Sequence, residues 1–155
     1  MTLSLRIRGA IAALAAIAVA TTLFAAACGD DSGGSKELDT VAAINILDKA
    51  GLHGLDDSMT KDKTIPSTAL ATYQQLQTIT LLTKWPNSDL EKKADALAKI
   101  FGDAAAAVDA DKPDITKAAA AAHNAHEAAH DFSHAVWDYL YDKAGLKVGA
   151  AEEDD

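Results

Sequence analysis

Apolar residues recur at helical spacing through most of the chain, and no segment alternates apolar and polar residues as a β-strand does. Four stretches carry this pattern: residues 36–50, 65–83, 88–110 and 115–144. The connections after the second and third stretches are short, which favours antiparallel neighbours. The sequence therefore predicts an all-α fold, an up-down-up-down four-helix bundle.

The apolar stripes of these helices differ in quality. Residues 88–110 keep one seam with separations of four and three, which suits a helix buried along one side. Residues 65–83 contain no charged residue, and their large apolar residues recur at spacings of three. The two stripes consist of Leu90, Ala94, Leu97, Phe101, Ala104 and Val108, and of Leu70, Tyr73, Leu76, Ile79 and Leu82.

Helix ends are marked by capping residues. The pentapeptide Asp-Lys-Ala-Gly-Leu occurs twice, at 48–52 and at 142–146. Glycine commonly takes a left-handed conformation just after a helix, so we expect Gly51 and Gly145 to end the first and last helices. Residues 88–91, Ser-Asp-Leu-Glu, match a capping box, which predicts Ser88 as the cap of the third helix.

The connection 51–64 is predicted as an irregular segment with its own place in the fold. The last helix, at about 45 Å, is roughly twice as long as the first, at about 22 Å. If the first helix runs antiparallel to the last, it ends beside about residue 130. The connection then lies against the other half of the last helix and carries His53 towards the other histidines.

The first 28 residues have the pattern of an export signal. Arg6 and Arg8 precede an uncharged apolar stretch at 10–24, and three alanines at 25–27 stand before the only cysteine, Cys28. A basic start, an apolar middle and small residues at the end are typical of a secretory signal. An uncleaved membrane span and a plain secreted protein with a free thiol are the alternatives, and all three place the domain outside the membrane.

The cysteine at the processing site resembles the signal of bacterial lipoproteins, in which it becomes the first mature residue. Ala26 and Ala27 match the small positions of their lipobox, whereas Ala25 stands where leucine is usual. The resemblance implies a lipid on Cys28 and a protein held at the extracytoplasmic face of the cell membrane. The predicted divisions are a signal peptide (1–27), a flexible linker (28–35), a four-helix bundle (36–149) and an acidic tail (150–155).

The charge narrows the range of partners. Without the signal the chain has 12 lysines and 23 acidic residues, a net charge of −11. Such a surface repels phosphate backbones, so we expect no nucleic-acid partner.

Four of the five histidines lie within twelve residues of the last helix. Their offsets of 3, 7 and 11 place His123, His126, His130 and His134 on one stripe of an α-helix. Imidazoles one turn apart can chelate one ion from the same helix face. We expect a site for a divalent transition metal, zinc or copper, at His126 and His130 with His53.

Other residues near this site are further candidate ligands. His134 extends the stripe, and His123 with Glu127 forms a second candidate cluster. The remaining candidates are the carboxylates Asp56 and Asp57 on the connection that carries His53.

Two other interpretations of the histidine stripe stay open, and two are excluded. In the first, the histidines border the apolar face and have a packing role alone, which would suit a structural or protein-interaction module. Non-covalent haem between a histidine and Met59 is a minor alternative. Neither a second Glu-x-x-His motif for a di-iron site nor a nucleophile motif is present, so we expect a binding protein and not an enzyme.

Overall fold

Five α-helices follow one another in the computed structural model, which describes residues 36–146. Within that range there is no strand, so the all-α prediction is confirmed. The helices are α1 (Lys36–Asp48), α2 (Leu52–Thr60), α3 (Ala69–Leu82), α4 (Ser88–Val108) and α5 (Ile115–Lys143).

The four long helices form the predicted bundle. Helix α4 packs against both α3 and α5, while α1 packs against α5 and touches α3. In the described part of the chain, the short helix α2 has substantial contact only with α5. Helix α5 therefore packs against α1, α2 and α4, while α3 packs mainly against α4.

Helices α1 and α2 contact α5 one after the other, from its end towards its start. At the start of α1, Tyr139 donates a hydrogen bond to Glu37 at 3.4 Å. At the end of α1, the indole of Trp137 donates to Asp48 at 3.1 Å. Further along the chain, Asp56 of α2 contacts residues nearer the start of α5. The order of these contacts along α5 is the predicted one, although α1 ends beside residues 133 and 137 and not beside about residue 130.

The connection 51–64 is not irregular, and this part of the prediction was wrong. Residues 52–60 form α2, which buries Leu52, Leu55, Asp56 and Met59 on one face. These four residues have helical spacing, because they lie at offsets of three, four and seven. Burial of that face against α5 outweighs the turn-forming tendency of Gly54, Asp57 and Ser58.

The buried core follows the predicted stripes on α4 and α5 closely. On α4 the first five residues of the predicted seam are buried and Val108 is half-buried. The hydrophobic core cluster of the described region extends from Ala43 to Val136, within the compact unit that begins at Gly34. The unit therefore contains its own core. The buried face of α5 consists of Ala118, Ala119, Ala122, Ala125, Ala129, Phe132 and Val136.

Helix α3 buries a different stripe from the one that its apolar spacing indicates. Each step of three residues falls about 60° short of a full turn, so a run of such steps moves around the helix. Leu82 at the end of the run is 77% exposed. The buried stripe has separations of four and three and consists of Ala69, Tyr73, Leu76 and Thr80.

Glycine and asparagine set the helix ends. Gly51 and Gly145 both adopt the predicted left-handed conformation, with φ of 73° and 68°. The cap of α4 is one residue earlier than predicted. The side chain of Asn87 accepts from the backbone N–H groups of Asp89 and Leu90 at 3.0 and 2.8 Å, whereas Ser88 is the first helical residue. Asn87 has the extended backbone that an N-cap requires.

Several predictions lie outside the described residues: the signal, Cys28, the linker and the acidic tail. Within residues 36–146, no helix combines the length and the apolar character needed to cross a bilayer.

Candidate functional site

A surface groove of about 390 Å³ lies where the junction of α1 and α2 meets α5. Four of the five histidines line it, and only His123 does not. The floor between them is apolar. The lining residues are Leu47, Asp48, Gly51, Leu52, His53, His126, Ala129, His130, Ser133, His134 and Trp137.

Two histidines from different helices meet in this groove. The rings of His53 on α2 and His126 on α5 pack edge to face, with centroids 5.2 Å apart. The side chain of His53 is 73% exposed and that of His126 only 23%. The structure thus brings the fifth histidine to the others, as the sequence predicts. Their role as metal ligands stays a prediction.

The buried carboxylate of Asp56 connects α2 to two histidines of α5. Its Oδ2 atom lies 3.1 Å from Nδ1 of His123 and 3.1 Å from Nδ1 of His126. Burial raises the pKa of Asp56, but the hydrogen bonds and the charges of the two histidines together outweigh burial, so the net shift is downward. The same hydrogen bond raises the pKa of His123 above its ordinary value of 6.5.

His130 and His134 form a second ring pair further along α5. Their centroids are 4.5 Å apart, again edge to face, and both residues are exposed. The contacts between histidine rings in the described region therefore join His53 to His126 and His130 to His134. His126 and His130, the predicted pair of metal ligands, both line the groove, but their rings are not in contact. The His126 ring packs against His53, and the His130 ring packs against His134.

The candidate carboxylates take three different positions. Asp57 faces solvent more than Asp56 and pairs with Lys61 at 2.8 Å and with Nε2 of His53 at 3.5 Å. Glu127 is 64% exposed and its carboxylate is 3.9 Å from Nδ1 of His126. His123, expected to form a cluster with Glu127, hydrogen-bonds to Asp56, and the charge of Glu127 has the smallest influence on its pKa.

No ready-made cage for an ion exists in the part of the chain that the structure describes. Within residues 36–146, no group of three or more His, Cys, Asp or Glu side chains is arranged to hold one metal ion. The imidazoles occur instead in pairs, and two of their ring nitrogens are engaged by Asp56.

Asp48 is a groove residue that sequence reasoning missed. Its two carboxylate oxygens accept from Ser133 at 2.7 Å and from Trp137 at 3.1 Å, so it fastens the end of α1 to α5. The only sequence signal was its place in the repeated pentapeptide, which indicates a helix end and no tertiary contact.

Tyr73 and Asp56 each keep a buried polar atom without a hydrogen-bond partner, namely the Tyr73 hydroxyl and Asp56 Oδ1. Burial, together with the charge of Asp56, raises the pKa of Tyr73 to about 12. The buried hydroxyl of Tyr73 therefore stays protonated well above the pH at which an exposed tyrosine ionises.

Met59, the methionine considered for haem, is fully buried in the core. The residues that line the groove do not include it. An axial pairing of Met59 with a groove histidine would need α2 to move.

Comparison of the chain with protein-family models, with curated protein sequences and with solved structures found no match.

Proposed function

We propose that this protein is a lipid-anchored, extracytoplasmic helical bundle that binds a divalent transition metal in the histidine groove. The observation that carries the proposal is the meeting of His53 and His126, from two helices, with ring centroids 5.2 Å apart. His130 and His134 line the same groove. Neutral imidazole nitrogens are ordinary ligands of zinc and copper.

The ion would be held first by His53 and His126. His130 lies one helical turn beyond His126 and is exposed, so its ring can rotate towards the groove at small cost. Zinc sites with three protein ligands complete their shell with water. Rotation of the His130 side chain would therefore add a third imidazole ligand to those of His53 and His126.

The charge around the groove favours a cation. Asp48 forms part of the groove wall, and Asp56 and Asp57 lie one helical turn after His53 on α2. The chain from Cys28 onward carries a net charge of −11. Acidic groups beside a groove raise the local concentration of cations and their rate of entry.

The anchor would keep this site close to the membrane. Seven residues separate Cys28 from Lys36, where α1 begins. At roughly 3.5 Å per residue, an extended linker of that length spans only about 25 Å. The sequence pattern of residues 1–28 supports the proposed anchor.

Calorimetric titration of the bundle with zinc, copper and nickel tests the proposal. The chain beginning at Gly34 is suited to this, because it contains the whole described core. We expect saturable uptake of one ion, weakened by His53→Ala and by His126→Ala. Asn124→Ala, an exposed change on the same helix, is the control and should bind as the wild type does. Absence of saturable uptake would reject the proposal.

A second candidate is a structural or protein-interaction module without metal. The observation that favours it is the double hydrogen bond of Asp56, through which His123 and His126 already fasten α2 to α5. In that case the histidine changes would lower stability in the absence of metal, and added zinc would not raise the melting temperature. A metal site would give a rise with zinc, because a ligand that binds only the native state stabilises it.

A further inference from the structure

The hydrogen bonds of Asp56 fix which nitrogen of each histidine carries the proton. An ionised carboxylate can only accept, so both Nδ1 atoms must donate to Oδ2. A neutral imidazole with its proton on Nδ1 has its lone pair on Nε2. His126 lines the groove, so Nε2 is the atom of this ring that can bind an ion there.

The arrangement has the form of an outer-shell carboxylate. Histidines that bind metals usually donate their second ring N–H to a carboxylate, a carbonyl or water, which orients the ring and makes the other nitrogen more basic. Asp56 is well suited to this, since it is only 7% exposed and its position is fixed by burial within α2. A buried carboxylate loses little orientation to water, and its hydrogen bonds are stronger than those of an exposed one.

We infer that Asp56 is the positioning residue of the groove, which holds the His126 ring with Nε2 available to a divalent transition metal. His123 is the second donor and stabilises the carboxylate from outside the groove. This inference rests on the proposed metal-binding function.

The position of Asp56 on α2 gives the inference a structural consequence. His53 lies one turn before Asp56 on the same short helix, so α2 delivers both a ligand and the group that orients the partner ligand. An ion bound between His53 and His126 would join α2 to α5 at a second point beside the Asp56 hydrogen bonds. Ring orientation and docking of α2 are thereby coupled.

The test combines a spectroscopic signature with an affinity. Ring ¹⁵N chemical shifts of the metal-free chain beginning at Gly34 report the tautomer of each histidine. We expect His123 and His126 in the Nδ1–H form in the wild type and loss of that preference in Asp56→Asn. Zinc affinity should fall roughly 10- to 100-fold in the same variant. Asp103→Asn, which removes the same charge from an exposed position on α4, should change neither reading.

Each outcome has one meaning. If Asp56→Asn binds zinc as tightly as the wild type, Asp56 is not a positioning residue, while metal binding by the groove stands. If the wild type binds no zinc, the proposed function fails, and the inference fails with it even where the tautomers agree. If Asp56→Asn does not fold, the wild-type spectrum decides, because an Nε2–H form of His126 would overturn the inference by itself.

Discussion

His53 and His126 pack edge to face with ring centroids 5.2 Å apart, although one lies on the short helix α2 and the other near the middle of α5. The contact depends on the direction in which the chain leaves α1. Gly51 sets that direction, and Asp48 and Asp56 fasten the two sides of the junction to α5. The groove is therefore a product of the α1–α2 junction as much as of the histidine stripe.

Replacing Gly51 by alanine should destabilise the bundle, whereas replacing Gly54 should not. Gly51 has φ of 73°, a region in which a side chain costs about 1–2 kcal/mol. Gly54 lies inside α2, where alanine is favoured over glycine by roughly 0.5–1 kcal/mol, and open space surrounds an added Cβ at both positions. Urea unfolding of the two variants should give shifts of opposite sign. Equal shifts would show that the left-handed turn does not control the junction.

Asp48→Ala should lower the free energy of unfolding by about 1–2 kcal/mol, because Ser133 and Trp137 both lose their acceptor. Asp142→Ala is a matched control, since Asp142 is exposed and occupies the same place in the second copy of the pentapeptide. Chemical denaturation of the two variants and the wild type gives the stability. A loss no larger than that of Asp142→Ala would mean that Asp48 does not fasten α1 to α5.

His123 should titrate above 6.5 in the wild type and at a lower pH in Asp56→Asn, because the hydrogen bond and the charge of Asp56 are what raise its pKa. Because the raised pKa belongs to the folded state, the stabilisation by this pair is complete below pH 6.5 and is lost as the pH rises through the folded pKa of His123. The pKa of Asp56 is shifted in the opposite direction. Its contribution to stability is therefore present above pH 3.8 and is lost as the pH falls through its lowered pKa. Proton NMR titration of the histidine rings measures the first effect. A wild-type His123 that titrates at or below 6.5 would contradict the hydrogen bond.

Tyr73 should remain protonated to about pH 12 in the folded protein. The unfolded chain releases this proton near pH 10, so stability should fall between about pH 10 and about pH 12. Near-ultraviolet absorbance follows tyrosinate formation, and Tyr73→Phe identifies the late-titrating group. The same substitution removes a buried hydroxyl that has no partner, so its stability cost should stay below about 1 kcal/mol. Complete tyrosine titration near pH 10 before unfolding would contradict this environment.

Helix positions could be predicted wherever the apolar pattern alone decides burial. The seam of α4 and the alanine face of α5 have separations of four and three, which stay on one side of a helix. The α3 stripe has steps of three, and there Thr80 is buried where Leu82 was expected. Helix α2 was missed although Leu52, Leu55 and Met59 have helical spacing, because three apolar positions in nine residues make a short pattern.

The candidate site could be predicted only in part. Helical pitch places the four α5 histidines on one stripe, and helix lengths bring His53 towards them. The rotation of α2 about its own axis decides which of its two adjacent aspartates is buried, and no local pattern fixes that angle. Asp56 turned inward to His123 and His126, whereas Asp57 turned to Lys61 at the surface.

A double-mutant cycle on His53 and His126, with zinc affinity as the measurement, shows whether the two rings bind the same ion. If both rings bind the same ion, each single alanine variant should lose most of the affinity and the double variant little more, which gives a coupling of roughly 0.5–3 kcal/mol. Equal zinc affinity in all four proteins, or losses that simply add, would show that the two histidines do not share an ion in this groove.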